Sequence, residues 1–474
     1  MKNNNFNYLS ILLWMAGLFT FAVTRAPGGL DVDACNYAVV AKEVLRSGHW
    51  LGIFDPVYQG VFYYHFPLTI WITALIFKLF GVSAFTAALF SMLCNLVLVA
   101  VLFYFGKILK NSWVGFFAAL SFLLTNHVIR LAMQARMDIP VSLFITLAIL
   151  SFILAEKRSR AYYLLFGLFS CLAIFAKDVN GLAPLGIVFI YLVLRRKWKE
   201  FFHPLFISGI LVTFTPVVLW IWLDKNTLFN AWWNWNFLHL LSSKTFSVPW
   251  YYYILALLKK YFYFLPFVIY GGYLGIKEAR EKKNFDSLLL VVWAIFFPFV
   301  YSFGRQKLHY FILPIYPATS LLAGLAFDRI LKEPIKQKVF TGLRYVLIIA
   351  SAVFLFLPLN LQSKRFIEAV KICPVIDQTL KGLPDYDFIV YKYDTAAILF
   401  YSQQLKKIQP LNELPVLVKE LSLKSPKPRF IFISEDDFLQ LGPAEIKDFR
   451  VLLKYKHRLV VTDLQGPQSR VSLP

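Results

Sequence analysis

RAPGGLDVDACNYAVVAKEVLRSGHWLGIFDPVYQGVFYYHFPLTIW, residues 25–71, separates the first hydrophobic run of the chain from all the others. Two aspartates, Asp31 and Asp33, stand just beyond the end of that run. Tyr37, Val40, Ala41, Val44 and Leu45 then recur at helical spacing, with Lys42, Glu43 and Arg46 on the opposite side. That pattern predicts a short amphipathic helix over 35–46, stopped by Arg46-Ser47-Gly48. An aromatic run from Tyr58 to Phe66 leads to Pro67 and a second apolar stretch. Connections this long that carry their own helix are functional more often than they are plain links. The segment reads as the roof of an active site at a membrane surface.

The 474 residues are 58% hydrophobic and 16% charged, with a mean hydropathy of +0.60. Such a balance predicts a mainly α, polytopic helical membrane protein and not a soluble globule. The apolar runs are continuous and lack the alternation of barrel strands. The run 8–24 has no small-x-small cleavage pattern before Arg25, so it reads as a retained span rather than a removed signal. A net charge of +22 would suggest nucleic acid in a soluble protein. Here the Lys and Arg residues fall in short loops between spans, the positive-inside pattern, and nothing points to a nucleic-acid partner. Cys35, Cys94, Cys171 and Cys373 have no metal-ligand spacing, while Cys35 and Cys373 fall on one side of the membrane and could be bridged.

The charge pattern fixes an expected topology. With the N-terminus cytoplasmic and 66–81 lying in the interface, spans follow at 84–106, 112–127, 139–155, 161–176, 181–194, 204–223, 257–276, 287–303, 310–328 and 342–358. That makes about eleven to thirteen spans in all. Basic clusters after 106, 155, 194, 276 and 328 then all lie inside. Trp232, Trp233, Trp235 and Trp250 to Tyr253 lie in a long outer loop as an interfacial aromatic belt. Residues 1–361 form the membrane domain. Residues 362–474 are richer in charge, with short runs at 387–391, 395–401, 429–434, 445–453 and 458–462, and read as a small α/β domain on the outer face. It has no phosphate-binding glycine loop and serves for packing or docking.

Asp31, Asp33, His65, Arg136, Asp138, Lys177, Arg305, Lys307 and His309 all fall on the non-cytoplasmic face in this topology. Carboxylates near bilayer depth are costly unless they are paired or face water, so Asp31, Asp33 and Asp138 are candidate catalytic residues. Asp33 could alternatively cap the helix 35–46, Asp31 could merely add negative potential, and Asp138 could cap the helix that Pro140 opens. Lys177 ends an apolar half-span and could simply reach the interface. Arg305, Lys307 and His309 set cations where the positive-inside rule disfavours them, which points to an anionic ligand such as a lipid-linked phosphate, with lipid head groups as the other reading. Carboxylates facing cations suit transfer from a lipid phosphate. The leaving phosphate needs its charge neutralised, and the acceptor needs a carboxylate to take or orient its proton.

Asp33-Ala34-Cys35-Asn36-Tyr37-Ala38 followed by Ala41 to Trp50 resembles the first-loop motif of the GT-C membrane glycosyltransferases, in the branch of the lipid A aminoarabinose transferases and protein O-mannosyltransferases. Tyr64-His65-Phe66-Pro67-Leu68, Phe77 to Gly81, Phe175-Ala176-Lys177 and Lys307-Leu308 with Phe311 to Pro314 are similar to its later motifs, in the same order, over about 8–330. The resemblance implies Asp33 and Asp138 as the aspartates of the first and second outer loops, with Lys177, Arg305 and Lys307 at the lipid-phosphate donor; His65, Arg136 and His309 join them there. It implies an inverting transferase of a plasma (inner) membrane. The donor would be a polyprenyl (undecaprenyl) phosphate sugar and the acceptor a lipid or a protein. The chain departs from the pattern at Tyr64, where some members carry a metal-site Glu, at His65 in place of Lys, at Ala34 in place of Glu, and at Asp178 in place of Gly. A divalent metal thus stays an open alternative without certain ligands, and the sugar stays open. The competing class is a flippase or transporter of lipid-linked sugars, which would carry charges at mid-membrane.

Overall fold

The structure, a computed structural model, describes residues 2–24, 29–62, 65–224, 232–234, 248–281, 285–304, 307–356, 366–383, 385–423, 425–464 and 471–472. Helix α1 (Lys2–Thr24) is followed by α2 (Val32–Ser47), a two-strand hairpin of β1 (Phe54–Asp55) and β2 (Gly60–Val61), and α3 (Leu68–Phe80). Then come α4 (Ala84–Leu109), α5 (Ser112–Leu123), α6 (Asn126–Ala132), α7 (Asp138–Lys157), α8 (Tyr162–Gly181), α9 (Ala183–Leu194) and α10 (Pro204–Leu223). After the aromatic loop follow α11 (Tyr252–Tyr261), α12 (Leu265–Glu281), α13 (Asp286–Ser302), a 3-10 turn His309–Ile315 running into α14 (Tyr316–Ile330), and α15 (Glu333–Phe356).

Among the described residues, α4, α7, α8, α10 and His309–Ile330 are long and apolar enough to cross a membrane. The pairs α5 with α6 and α11 with α12 would raise the number to seven, but they bend by 70° and 113°. The sequence run 112–127 is thus not one straight helix, because Thr125-Asn126-His127 interrupts its apolar surface. Pro266 sits in the first turn of α12, where it starts a helix but cannot continue the one before it. Helix α3 has 13 residues, about 20 Å of rise, short of a hydrocarbon core of about 30 Å.

Glycine lets the long helices approach. A Cβ on Gly167 of α8 would lie 2.0 Å from the carbonyl oxygen of Gly209 on α10. Small residues at such crossings are the usual device where no water is present to drive association.

Helix α2 is longer than the expected 35–46. Its N-cap is Asp31, whose Oδ1 accepts from the Ala34 N–H at 2.9 Å, so Asp33 is free of the capping role and stands in the first turn. Gly48 ends it at φ 73° with its N–H on the Val44 carbonyl. The buried face of α2, Ala34, Cys35, Ala38, Val39, Val40, Ala41 and Val44, joins a core shared with α3 and the C-terminal residues.

Those residues form α16 (Ile367–Leu380), β3 (Asp387–Tyr391), α17 (Thr395–Tyr401), β4 (Gln409–Leu411), α18 (Leu414–Ser422), β5 (Arg429–Ser434), β6 (Arg450–Tyr455), β7 (Arg458–Thr462) and β8 (Val471–Ser472). The sheet order is β4-β3-β5-β7-β6-β8. Strand β3 runs parallel to β4 and β5, with Asp387 opposite Arg429, and β7 is antiparallel to β5 and β6. The run 395–401 is a helix capped by Asp394, and 445–453 divides between a helical turn and β6. The four cysteines are free and buried, so Cys35 and Cys373 are not bridged. Their thiols face the carbonyls of Leu30 and Ile398.

Candidate active site

Five of the candidate residues converge where helices begin or break. Asp31 and Asp33 open α2, Arg136 lies in the turn before α7, Asp138 is the first residue of α7, and Lys177 sits inside α8 at a break. There Lys177 (φ −160°, ψ 56°) and Asp178 (φ 28°, ψ −109°) leave the helical region. A positive φ at a non-glycine residue persists only where the surroundings enforce it, and such strain clusters at functional sites.

Arg136 is the hub. Its Nη1 lies 2.8 Å from Asp33 Oδ2 and 3.2 Å from Asp31 Oδ2, while its Nε lies 2.8 Å from Asp138 Oδ2. The other oxygen of Asp138 takes the Lys177 ammonium. Neither is a surface pair: the side chains of Arg136, Asp138 and Lys177 are 4%, 1% and 5% exposed, whereas Asp31 and Asp33 are 28% and 34% exposed. Asp138 therefore bridges two cations in the interior instead of capping α7, and Lys177 is turned inward rather than out to the interface. Burying a charge costs several kcal/mol per ion unless partners compensate. Burial opposes the charge of Arg136, but Asp138, Asp31 and Asp33 outweigh it and hold the guanidinium's pKa well above its usual value. Three carboxylates face two cations, so the cluster keeps a negative charge, on its open side at Asp31 and Asp33.

A second layer fixes this hub. The Asp31 N–H donates to Gln134 Oε1 at 2.7 Å. The Tyr310 ring lies 4.2 Å under the Arg136 guanidinium and 5.4 Å from the Lys177 ammonium. The C-terminal domain holds the other side: Tyr401 Oη accepts from the Leu30 N–H at 2.8 Å, and Lys42 of α2 donates to the last carbonyls of α17, Leu399 at 3.0 Å among them.

The other candidates are more dispersed. His65 contacts Asp178 and Tyr37. His309 stacks on His127 with ring centres 5.0 Å apart, within electrostatic reach of Arg136, Asp138 and Asp33. The Lys307 ammonium is held by the carbonyls of Gly304 (2.6 Å) and Val248 (3.0 Å). Arg305 and Tyr64 lie outside the described residues, as do Trp235 and most of the aromatic loop. Tyr310 and Gln134 were not singled out by sequence reasoning, and Tyr37 and Asp178 entered it as motif positions and not as site residues. Tyr37 carried a signal, since it lies four residues after Asp33 and shares its helix face.

The donor set does not fit a divalent metal. Among the described residues no three His, Cys, Asp or Glu side chains are grouped to hold one. Asp31, Asp33 and Asp138 converge on a guanidinium that takes the oxygens an ion would need.

Residues 64–220 match the family described as dolichyl-phosphate-mannose-protein mannosyltransferase. An undecaprenyl phosphate-alpha-4-amino-4-deoxy-L-arabinose arabinosyl transferase of Edwardsiella ictaluri is 27% identical over 339 residues, 65% of this chain and 59% of that protein. The chain thus spans about three fifths of such a relative's length. A protein of Aquifex aeolicus is 25% identical over 80% of this chain and 78% of its own. Among solved structures, ArnT from Cupriavidus metallidurans bound to undecaprenyl phosphate superposes with a TM-score of 0.78 at 17% identity, covering 97% of this chain and 98% of that one. An Archaeoglobus fulgidus oligosaccharyltransferase aligns at a TM-score of 0.54 and 12% identity over 90% of this chain and 70% of that one. Together these give the chain the fold of the GT-C membrane glycosyltransferases, and residues 64–220 carry the sequence similarity to the mannosyltransferase family.

Proposed function

We propose that the protein moves a sugar from a polyprenyl phosphate carrier to a lipid or protein acceptor at the outer face of the plasma membrane, with inversion. The observation that carries this reading is the buried cluster of Asp138, Arg136 and Lys177 with its open edge at Asp31 and Asp33. The arabinosyl transferase relatives and the ArnT structure with undecaprenyl phosphate supply the donor class. The acceptor oxygen attacks the sugar carbon from the Asp33 side. Asp33 takes or orients its proton, and the carrier phosphate leaves with the bonding electron pair. Lys177, with Arg136, His65, His309, Lys307 and Arg305, serves the donor phosphate. Lys177 is the cation best placed for exchange, because the phosphate can replace Asp138 as its partner. The charge pattern supports a topology with this edge and the C-terminal domain on the periplasmic or extracytoplasmic side. Lipid A modification is one acceptor chemistry within this reading.

The test reconstitutes the purified full-length protein in vesicles with a radiolabelled undecaprenyl phosphate sugar and an envelope extract, and follows label by mass analysis of glycolipids and glycoproteins. Covalent transfer that requires the protein supports the reading. Movement of intact donor between leaflets without transfer identifies a flippase instead.

A further inference from the structure

Two positions at which the chain departs from the family pattern, His65 and Asp178, touch each other. His65 Nδ1 lies 2.5 Å from Asp178 Oδ2, and the second oxygen of Asp178 accepts from the Val179 N–H at 2.5 Å. The Asp178 side chain is 4% exposed and is presented by the positive-φ break in α8. A carboxylate can only accept, so the hydrogen sits on Nδ1 and the neutral ring offers Nε2 as an acceptor. Nε2 lies 3.1 Å from Tyr37 Oη, which directs the phenol hydrogen to it. On α2, Tyr37 follows Asp33 by four residues, so the two side chains share a face. Burial and then the Asp33 charge push the phenol's pKa well up, and Arg136, Tyr310 and Asp138 act on it as well. Tyr37, His65 and Asp178 thus form a contact line into the protein, and Asp33 stands one helical turn before Tyr37 at the open edge of the cluster.

A base at Asp33 has a difficulty that this line resolves. Arg136 Nη1 already holds the Asp33 carboxylate at 2.8 Å, so that carboxylate is engaged by a cation when the acceptor's proton arrives. Once acceptor and donor cover the edge, water is not at hand to take the proton on. We propose that Tyr37, His65 and Asp178 form a relay that draws the acceptor's proton from Asp33 and stores it on His65. The proposal rests on the sugar-transfer reading given above. In the step, the acceptor O–H bond breaks as its oxygen bonds to the sugar carbon, and the carbon–phosphate oxygen bond breaks with its electron pair leaving on the phosphate. The proton reaches Asp33 and passes to Tyr37 Oη while the phenol's own hydrogen passes to His65 Nε2. Asp178 compensates the imidazolium, which loses its proton to water through its partly exposed edge when product leaves.

The test uses the full-length protein in vesicles with an undecaprenyl phosphate sugar as the varied donor. Tyr37→Phe keeps the ring and removes the relay oxygen, and Asp178→Asn keeps the shape and removes the charge. Both should lower kcat about tenfold to a hundredfold, within the range for acid–base groups, with donor KM within about twofold and unaltered melting temperature. His65→Ala should recover with added imidazole, and the recovery should rise with the basicity of substituted imidazoles. Should Tyr37→Phe fail to fold, the imidazole series carries the test alone. Normal kcat in Tyr37→Phe, or a raised donor KM with normal kcat and no imidazole effect in His65→Ala, overturns the relay and leaves His65 with its donor-phosphate role alone. An inactive Asp33→Asn beside a fully active Tyr37→Phe defeats the relay only. A fully active Asp33→Asn defeats the underlying base at Asp33.

Discussion

Arg136 and Asp138 are two residues apart in sequence, yet their 2.8 Å contact is in the interior, with side chains 4% and 1% exposed. Removing one member of a buried pair leaves the other uncompensated, which costs about 3–5 kcal/mol. Arg136→Met leaves three carboxylates to a single ammonium and should lower stability by about that amount, read as thermal unfolding in detergent. Arg136→Lys keeps the charge but not the planar fork that reaches three carboxylates, so it should fold and lose transfer activity. Full activity in Arg136→Lys would contradict the role of the fork.

The α8–α10 crossing has no room for a methyl group. Gly167→Ala would press its Cβ to 2.0 Å from the Gly209 carbonyl oxygen. Backbone cannot yield as a side chain end does, and the expected loss is about 1–3 kcal/mol or more. Yield of monodisperse protein in size-exclusion chromatography should drop sharply, whereas Gly17→Ala, with nothing within 4 Å, should be neutral.

Besides the shared core, the C-terminal domain steadies α2 through Tyr401 and through the carbonyls that Lys42 reaches. Tyr401→Phe removes the partner of the Leu30 N–H, and Lys42→Met uncaps the end of α17. Each should cost about 0.5–1.5 kcal/mol. Hydrogen exchange should accelerate in 30–34 for the first and in 399–402 for the second, without change in the α7–α8 core. Equal protection in wild type and variants would show that the contacts do not hold α2.

Topology is tested with reporter fusions. A reporter after Leu194 should read cytoplasmic and one after Leu383, in the C-terminal domain, external. Both on one side would overturn the interfacial placement of α3 and the outer position of the cluster.

Much of this was legible in the sequence because hydropathy and charge are local signals. Apolar runs located the helices, and 387–391, 429–434 and 458–462 coincide with β3, β5 and β7. Boundaries failed where a local competitor won. Asp31 rather than Asp33 took the cap because its side chain reaches the Ala34 N–H while Asp33 turns to Arg136. β4 and α18 went unread because Gln409–Leu411 is short and Pro-containing, and amphipathy in a nine-residue helix is a weak signal. The charged motifs announced Asp31, Asp33, Arg136, Asp138 and Lys177 as candidates, but not that one guanidinium collects three of them. Pairing across 105 residues is a property of the fold and has no local trace.

The central claim is that Asp33 faces the acceptor as the base of sugar transfer. Asp31 carries the N-cap of α2, so Asp33→Asn leaves the helix start intact, and the remaining amide oxygen can still accept from Arg136. What it loses is the full negative charge and the ability to take a proton. The measurement is transfer from an undecaprenyl phosphate sugar in vesicles, normalised to folded protein. A folded variant whose rate is lower by about two to four orders of magnitude is the predicted result. Turnover near that of the wild type would contradict the account and move the base to Asp31 or Asp138.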